Sequence, residues 1–197
     1  MSACRLLFVL LLMFPLGACQ FLPPPADAPQ TVEHVDLERY LGTWYEIARY
    51  PNRFQEGCVG TTATYRARDD GRIDVINRCR ENELDGPLRE AEGVAWVTDE
   101  QSNARLRVRF FWPFSGDYWV IGLDEDYRWA VVGHPRRSYL WVLARRPMLT
   151  DETWQHIEGL IEARGYDLEP LQMTPQPPGQ PDMARGEQEA ADVRPRQ

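Results

Sequence analysis

The sequence has no long apolar run and no excess of basic residues. Its longest apolar stretch is Leu6–Phe14, whereas a helix that crosses a bilayer needs about 20 such residues. Arginine and lysine number 22 against 30 aspartates and glutamates, which gives a formal net charge of -8. Nucleic-acid binding needs a basic surface that displaces counterions from phosphates, and electrostatic docking onto anionic lipid needs the same sign of charge. The composition therefore argues against a spanning helix, a nucleic-acid partner and charge-driven membrane binding.

Catalytic and metal-binding signatures are also missing. The chain contains no G-x-S-x-G, H-E-x-x-H, C-x-x-C or phosphate-binding loop motif. Asp69-Asp70 precedes Gly71, a sequence that a turn explains better than a metal site does. We therefore expect no enzymatic activity, no metal and no cofactor. The 3 histidines are far apart in sequence, at His34, His134 and His156.

The first 18 residues have the pattern of a secretory signal. Arg5 precedes the apolar run Leu6–Phe14, which is too short for a membrane span and suits a signal peptide. Leu16-Gly-Ala-Cys19 resembles the lipobox of bacterial lipoproteins, which implies cleavage before Cys19 and acylation of that residue. Two or three acyl chains give stable attachment, and Gln20 resembles the signal for the outer membrane. We expect an anchor at the periplasmic face of the outer membrane; ordinary secretion with an unmodified Cys19 is the alternative.

Prolines mark the predicted limits of the folded unit. Of the 16 prolines, 4 lie in residues 21–30 and 6 in residues 170–197. Such compositions favour extended or disordered chain. We predict a linker over residues 19–30, one domain over 31–171 and a disordered tail over 172–197. The 7 tryptophans, 8 tyrosines and 7 phenylalanines suit a chain with a buried core.

Alternation of apolar and polar residues dominates this predicted domain. In Arg105–Phe110, three apolar residues share one face and three arginines share the other. The turn at residues 69–71 pairs the strands on either side of it and places Tyr65 on the same face as Val75. Eight strands are predicted: Thr43–Arg49, Thr61–Arg68, Arg72–Arg80, Arg89–Thr98, Arg105–Phe110, Asp117–Leu123, Arg128–Gly133 and Tyr139–Arg145.

One helix follows the strands. Thr150 is a suitable N-cap, an apolar stripe runs from Trp154 to Ile161, and Gly165 is a suitable end. A shorter helical turn is predicted over Asp36–Leu41. Eight short strands joined by hairpins, followed by one helix, predict an all-β fold: an eight-stranded up-and-down antiparallel β-barrel with one C-terminal α-helix packed outside. A two-sheet sandwich is the alternative that the alternation leaves open.

Three short stretches, in order along the chain, resemble the motifs of the lipocalin family. Gly42-Thr-Trp44 is similar to the first motif, Asp126-Tyr127 to the second, and Arg145 to the arginine of the third. Behind a lipobox, this order resembles the bacterial outer-membrane lipocalins and their apolipoprotein D-like relatives over about residues 36–170. The resemblance implies that Arg145 stacks on Trp44 at the closed end of the barrel. Ala130 departs from the second motif, where the family often has an aromatic residue.

Two cysteines remain after Cys4 is removed with the signal and Cys19 is acylated. Cys58 and Cys79 would lie in an oxidising compartment, where a disulfide is the default. In a simple hairpin register Cys79 faces residue 61, so the bridge requires a bulge or bend near Gly57 and Gly60. The bridge would stabilise the protein by about 3 kcal/mol.

The barrel interpretation predicts an apolar hollow for one hydrophobic ligand. Family resemblance implies a fatty acid or a lysophospholipid. We expect the chain to be a monomer or a homodimer, with Tyr50–Gly57 at the mouth of the barrel. Two alternatives stay open: a structural lipoprotein whose barrel is filled by its own side chains, and an enzyme that uses Cys58 or Cys79 as a thiol nucleophile. The predicted lining is Tyr65, Val75, Val108, Phe110, Trp112 and Tyr118.

Overall fold

The computed structural model describes residues 23–179 and 181–182. The predicted signal peptide, the predicted acylation site Cys19 and residues 183–197 lie outside the described residues. In the part of the chain that is described, no helix has both the length and the apolar character needed to cross a membrane.

Eight antiparallel strands close into a barrel, as the alternation predicted. Each strand pairs with the next one in sequence, and β1 pairs with β8. This closure excludes the two-sheet sandwich, in which the edge strands would stay unpaired. The strands are β1 Gly42–Arg49, β2 Cys58–Ala67, β3 Ile73–Glu81, β4 Leu88–Val97, β5 Arg105–Phe111, β6 Phe114–Leu123, β7 Trp129–Gly133 and β8 Leu140–Ala144.

The two ends of the barrel differ. A short helix, α1 (Leu37–Tyr40), lies at the end where β1 begins, here called the closed end. Asp36 caps this helix, since its carboxylate accepts hydrogen bonds from the backbone N–H groups of Glu38 and Arg39. Because neighbouring strands are antiparallel, the loops that follow β1, β3, β5 and β7 all lie at the opposite end, here called the open end.

The barrel wall is apolar on both faces along β6, β7, β8 and β1, and this places the C-terminal helix. Helix α2 (Asp151–Ala163) begins after the N-cap Thr150 and ends before Gly165, which has a φ of 76°. Its residues Ile157 and Ile161 are fully buried in a cluster with outward-facing residues of those strands. The helix therefore packs outside the barrel, as predicted, and a separate cluster fills the inside.

Residues 172–176, here called the C-terminal segment, belong to the fold. Strand β10 (Gln172–Met173) pairs with the end of β1. The N–H of Thr174 then donates to the carbonyl of Ile47, and the N–H of Gly60 donates to the carbonyl of Pro175. The segment thus fills the gap where β1 and β2 separate toward the open end. The predicted domain limit at residue 171 is therefore wrong, because a segment poor in large apolar residues is held by hydrogen bonds.

Two further short strands, β9 (Met148–Leu149) and β11 (Pro181–Asp182), pair in parallel.

The described part of the predicted linker lies against the barrel. Arg137 donates to the carbonyl of Asp27 at 2.7 Å, and Arg136 reaches the carbonyl of Pro23 at 3.5 Å. Further along, the N–H of Val32 donates to the carbonyl of Val120. Residues 23–30 are therefore bound to the domain and are not a free tether.

Candidate ligand-binding site

The barrel encloses a small apolar cavity near its closed end. Its volume is about 20 Å³, enough for about one water molecule. The walls come from strands β2 to β6 and from the segment around α1. The lining residues are Val35, Leu37, Tyr40, Tyr65, Ile73, Val75, Ala95, Leu106, Val108, Tyr118 and Val120.

Four of the six predicted lining residues lie on this cavity: Tyr65, Val75, Val108 and Tyr118. The other seven lining residues were not predicted from the sequence. Leu106 shares the alternating face of Val108, and Ile73 lies two residues before Val75, so the strand period carried a signal for both. The residues around α1 had no such signal, because only the closed barrel brings this segment over its end.

Phe110 lies inside the barrel but on the open-end side of the cavity. It packs against the inner cluster and is partly buried. Its ring covers Gly93 of the neighbouring strand so closely that a Cβ on that glycine would lie 2.8 Å from the ring. Phe110 therefore occupies the space between the cavity and the open end.

Trp112 does not line the site, so this part of the prediction is wrong. Its side chain is 83% exposed, in the connection between β5 and β6. The pairing of these strands shifts between Val108 and Phe111. An irregularity of this kind breaks the period of two, so the alternation that places Phe110 inside does not extend to Trp112.

Three tyrosine hydroxyls meet at the cavity. The Tyr118 hydroxyl lies 2.8 Å from that of Tyr40 and 2.9 Å from that of Tyr65. Two hydrogen bonds use two of the three hydroxyl hydrogens, so the cluster keeps one donor for a further acceptor. Burial raises the pKa of Tyr65 to about 12 and raises the pKa values of Tyr40 and Tyr118 well above their usual range. All three hydroxyls therefore stay neutral donors near pH 7.

The three family-like motifs meet at the closed end. The Arg145 guanidinium lies 3.7 Å from the centre of the Trp44 ring, as the resemblance implied. The same side chain donates to the backbone carbonyls of Arg39 at 2.7 Å and Thr43 at 3.0 Å. Gly42 has a φ of 92°, and a Cβ there would touch the guanidinium at 3.4 Å. A glycine at this position therefore suits both the backbone conformation and the approach of Arg145.

The stretch that resembles the second motif forms a turn, which is held by Tyr127 and by an aspartate outside the motif. Tyr127 has a φ of 59°, and its hydroxyl accepts a hydrogen bond from the N–H of Asp36 at 2.8 Å. Asp126 is exposed, whereas Asp124 accepts hydrogen bonds from the N–H groups of Asp126 and Arg128. Asp124, which is not part of the family-like motif, therefore holds this turn.

Cys58 and Cys79 form the expected disulfide, with their Cα atoms 5.4 Å apart. The register of β2 and β3 shifts between Val59 and Thr62, and Gly60 has a φ of 58°. This is the bulge near Gly60 that the bridge required. Since both sulfurs are bonded, neither cysteine is a thiol nucleophile, and the thiol-enzyme hypothesis is wrong.

In the described residues, no three side chains from His, Cys, Asp and Glu are grouped so that they could hold a metal ion.

A sequence profile of the lipocalin-like domain matches residues 35–176. The chain is 43% identical over 164 residues to the outer membrane lipoprotein Blc of Escherichia coli K12, covering 83% of this chain and 92% of that protein. It is 40% identical over 156 residues to temperature-induced lipocalin-1 of Arabidopsis thaliana, covering 75% and 82%. Bovine apolipoprotein D is 32% identical over 171 residues, covering 83% and 85%.

The chain belongs to the lipocalin family. Solved structures agree with this at the level of the fold. Insecticyanin from the tobacco hornworm Manduca sexta has a TM-score of 0.60 at 18% identity, covering 82% of this chain and 87% of that one. Lobster apocrustacyanin A1 has a TM-score of 0.59 at 14% identity, covering 78% and 93%. The profile match also ends at residue 176, which agrees with the inclusion of the C-terminal segment in this lipocalin.

Proposed function

We propose that this lipocalin is a non-catalytic carrier, anchored through Cys19 at the periplasmic face of the outer membrane, that holds one fatty acid or lysophospholipid. The anchor is supported by the lipobox-like Leu16-Gly-Ala-Cys19. It is also supported by relatives whose names include outer membrane lipoprotein. The observation that carries the ligand proposal is the apolar cavity inside a closed barrel, with one group of polar donors on its wall.

The cavity as it stands is too small for an acyl chain. Ligand sites in proteins measure about 300–1,000 Å³, against the roughly 20 Å³ enclosed here. Binding therefore requires side chains to move, and Phe110 is the side chain placed to do so. Val108 and Phe110 are only partly buried, so this side of the cavity is less tightly enclosed than the rest of its wall. In this proposal the acyl chain takes the space that the Phe110 ring fills without ligand.

The energetics of an acyl chain allow useful affinity. Burying about 12 methylenes contributes roughly 10 kcal/mol at about 0.8 kcal/mol each. Lost translational freedom and the ordering of side chains remove several kcal/mol, and moving Phe110 adds to that cost. A micromolar complex needs about 8 kcal/mol, so micromolar binding requires a contribution from polar contacts in addition to the acyl chain. The spare hydroxyl hydrogen of the tyrosine cluster would donate to a carboxylate or phosphate oxygen.

The small volume supports a second candidate. A barrel filled by its own side chains would act as a structural or interaction lipoprotein without a ligand. The two candidates differ in what they predict for Phe110. If the ring only fills the barrel, its removal destabilises the protein and creates no site, whereas in a carrier its removal opens the site.

Displacement of a fluorescent fatty acid by palmitate and by lysophosphatidylcholine tests the carrier. We expect saturable 1:1 binding by the wild-type protein and binding at least as tight by Phe110→Ala. Val108→Phe adds a ring to the same space and is expected to weaken binding at least tenfold. Arg109→Ala, on the outer face of the same strand, is the matched control.

The carrier proposal fails if wild type and Phe110→Ala both bind no lipid while thermal unfolding shows that they are folded. The anchor is tested separately by intact mass spectrometry of protein purified from the outer membrane, which measures whether the mature chain carries acyl groups. Acylated Cys19 is expected at the N-terminus, and an unmodified Cys19 would refute the anchor without affecting the pocket.

A further inference from the structure

Large exposed apolar side chains concentrate at the open end of the barrel. Of the eight such residues among the described part of the chain, six lie in the loops and strand ends at this end. Scattered single residues of this kind are ordinary, but a group at one end marks an interaction surface. We call this group the rim: Phe54, Leu84, Leu88, Phe111, Trp112 and Phe114.

The connection between β5 and β6 contributes the most exposed part of the rim. Phe111 and Phe114 face each other across the hairpin. Their side chains are 75% and 78% exposed, and Trp112 between them is 83% exposed. None of the three belongs to either hydrophobic cluster. The fold therefore does not use these three rings, although keeping them in water costs free energy.

The described part of the N-terminal segment begins at the same end. Pro23 and Asp27 contact Arg136 and Arg137, which lie in the loop between β7 and β8. Cys19 precedes Pro23 by four residues, a span of at most about 14 Å of extended chain. An acyl chain on Cys19 would therefore enter a membrane close to the rim.

The charge around the rim is mixed, which favours an apolar partner over an anionic one. Arg53 and Arg136 are exposed at this end, but so are Glu83 and Asp85. With the net charge of -8, attraction to anionic lipid is weak. Tryptophan and phenylalanine instead suit the boundary between headgroups and acyl chains, where an apolar ring is covered and a polar edge stays wet.

We infer that the rim docks into the interfacial layer of the lipid bilayer to which the chain is anchored, with the hairpin of Phe111, Trp112 and Phe114 as the inserted element. The open end then faces the membrane. The position of the anchor relies on the proposed function, whereas the exposure of the rim does not. A lipid that leaves the bilayer would enter the barrel without crossing water.

Fluorescence quenching by brominated phosphatidylcholine tests the insertion. The acylated protein is reconstituted into vesicles of phosphatidylethanolamine and phosphatidylglycerol that contain the brominated lipid. Wild type is compared with Trp112→Ser and with Trp96→Ser, a control on the outer wall near the closed end. We expect the fluorescence intensity that is lost to quenching to fall at least twofold in Trp112→Ser and to stay unchanged in Trp96→Ser.

Equal quenching in wild type and Trp112→Ser overturns the inference. Emission from Trp112 that is blue-shifted but unquenched, together with a cross-linked dimer, would also overturn it and would assign the rim to a second copy of the chain. If Cys19 carries no acyl chain, protein added to preformed vesicles must show the same difference between the variants. Fatty-acid displacement on Trp112→Ser separates the two proposals, because its expected affinity equals that of wild type.

Discussion

At the scale of single residues, Arg145 links several separate parts of the chain at the closed end. It stacks on Trp44 and donates to carbonyls from two other parts of the chain. Trp44 is itself fully buried and donates from its indole to the carbonyl of Tyr40. One planar cation thus connects α1, β1 and the end of β8, a role that needs the fork of donors found only in arginine.

Replacement of Arg145 by lysine is expected to lower the free energy of unfolding by about 3 kcal/mol. Lysine keeps the charge but loses the flat stacking on Trp44 and leaves backbone carbonyls without a well-placed donor. Urea unfolding followed by tryptophan fluorescence measures the change. Arg66→Lys, on an exposed part of β2, is the matched control and is expected to change the free energy by less than about 0.5 kcal/mol. A similar small loss for Arg145→Lys would contradict this role.

Some residues of the site could be placed from the sequence, and others could not. Trp44, Tyr127 and Arg145 could be found because the family spacing identifies them, although they are distant in the chain. Trp112 was placed wrongly because it lies beyond an irregular pairing that local periodicity does not reveal. Asp124 was not predicted because the resemblance to the second motif identifies Asp126 as the aspartate of this turn.

At the level of elements, the C-terminal segment shows how a polar stretch can be part of a fold. Glu46 is buried within β1, with 3% of its surface exposed. The Thr174 hydroxyl donates to its carboxylate at 2.6 Å, and Arg49 contacts the same oxygen at 2.9 Å. The Gln176 amide donates to the backbone carbonyls of Glu46 and Thr61. A buried carboxylate needs such partners, and the C-terminal segment supplies one of them.

Thr174→Val is expected to destabilise the protein by about 2 kcal/mol, because it keeps the shape of the side chain and removes a hydrogen bond to a buried charge. Met173→Ala, an exposed neighbour in β10, is the control and is expected to have little effect. Chemical denaturation at neutral pH checks both variants. If Thr174→Val is as stable as wild type, the Thr174 hydroxyl does not stabilise the buried carboxylate of Glu46.

The β2–β3 hairpin is an element whose irregularity could be predicted from the sequence. The two cysteines were out of register by simple pairing, and the glycine between them allowed a bulge. The structure contains this bulge, with Gly60 in the left-handed region. The inference was possible because a covalent bond fixes a distance that weak interactions leave free.

In the whole molecule, the tyrosine cluster connects α1, β2 and β6 across the inside of the barrel. The pKa of Tyr65 is raised to about 12 by burial, from about 10 in an unfolded chain. The folded state therefore keeps a proton that the unfolded state loses above pH 10. Stability from this group is complete below pH 10 and is lost as the pH rises from 10 to 12.

We expect the free energy of unfolding to fall by roughly 3 kcal/mol between pH 9 and pH 12 from Tyr65 alone, since each unit of pKa difference corresponds to about 1.4 kcal/mol. Tyr40 and Tyr118 shift in the same direction and add to the decline. Urea midpoints measured across this range check the expectation, and Tyr65→Phe should show a shallower decline. Stability that is constant from pH 9 to pH 12 would contradict it.

The sequence by itself determined the alternating strands, the outer helix and the disulfide, and its family resemblance predicted the closed barrel and the stacked pair at the closed end. These depend on the period of side chains along a strand, on a covalent bond and on spaced motifs, all of which are local or fixed by residue type. Only the tertiary structure decided how much of the hollow is filled, that residues 172–176 complete the wall, and that the hairpin rings face outward. Each of these depends on the volume and approach of side chains from several strands, which no single segment contains.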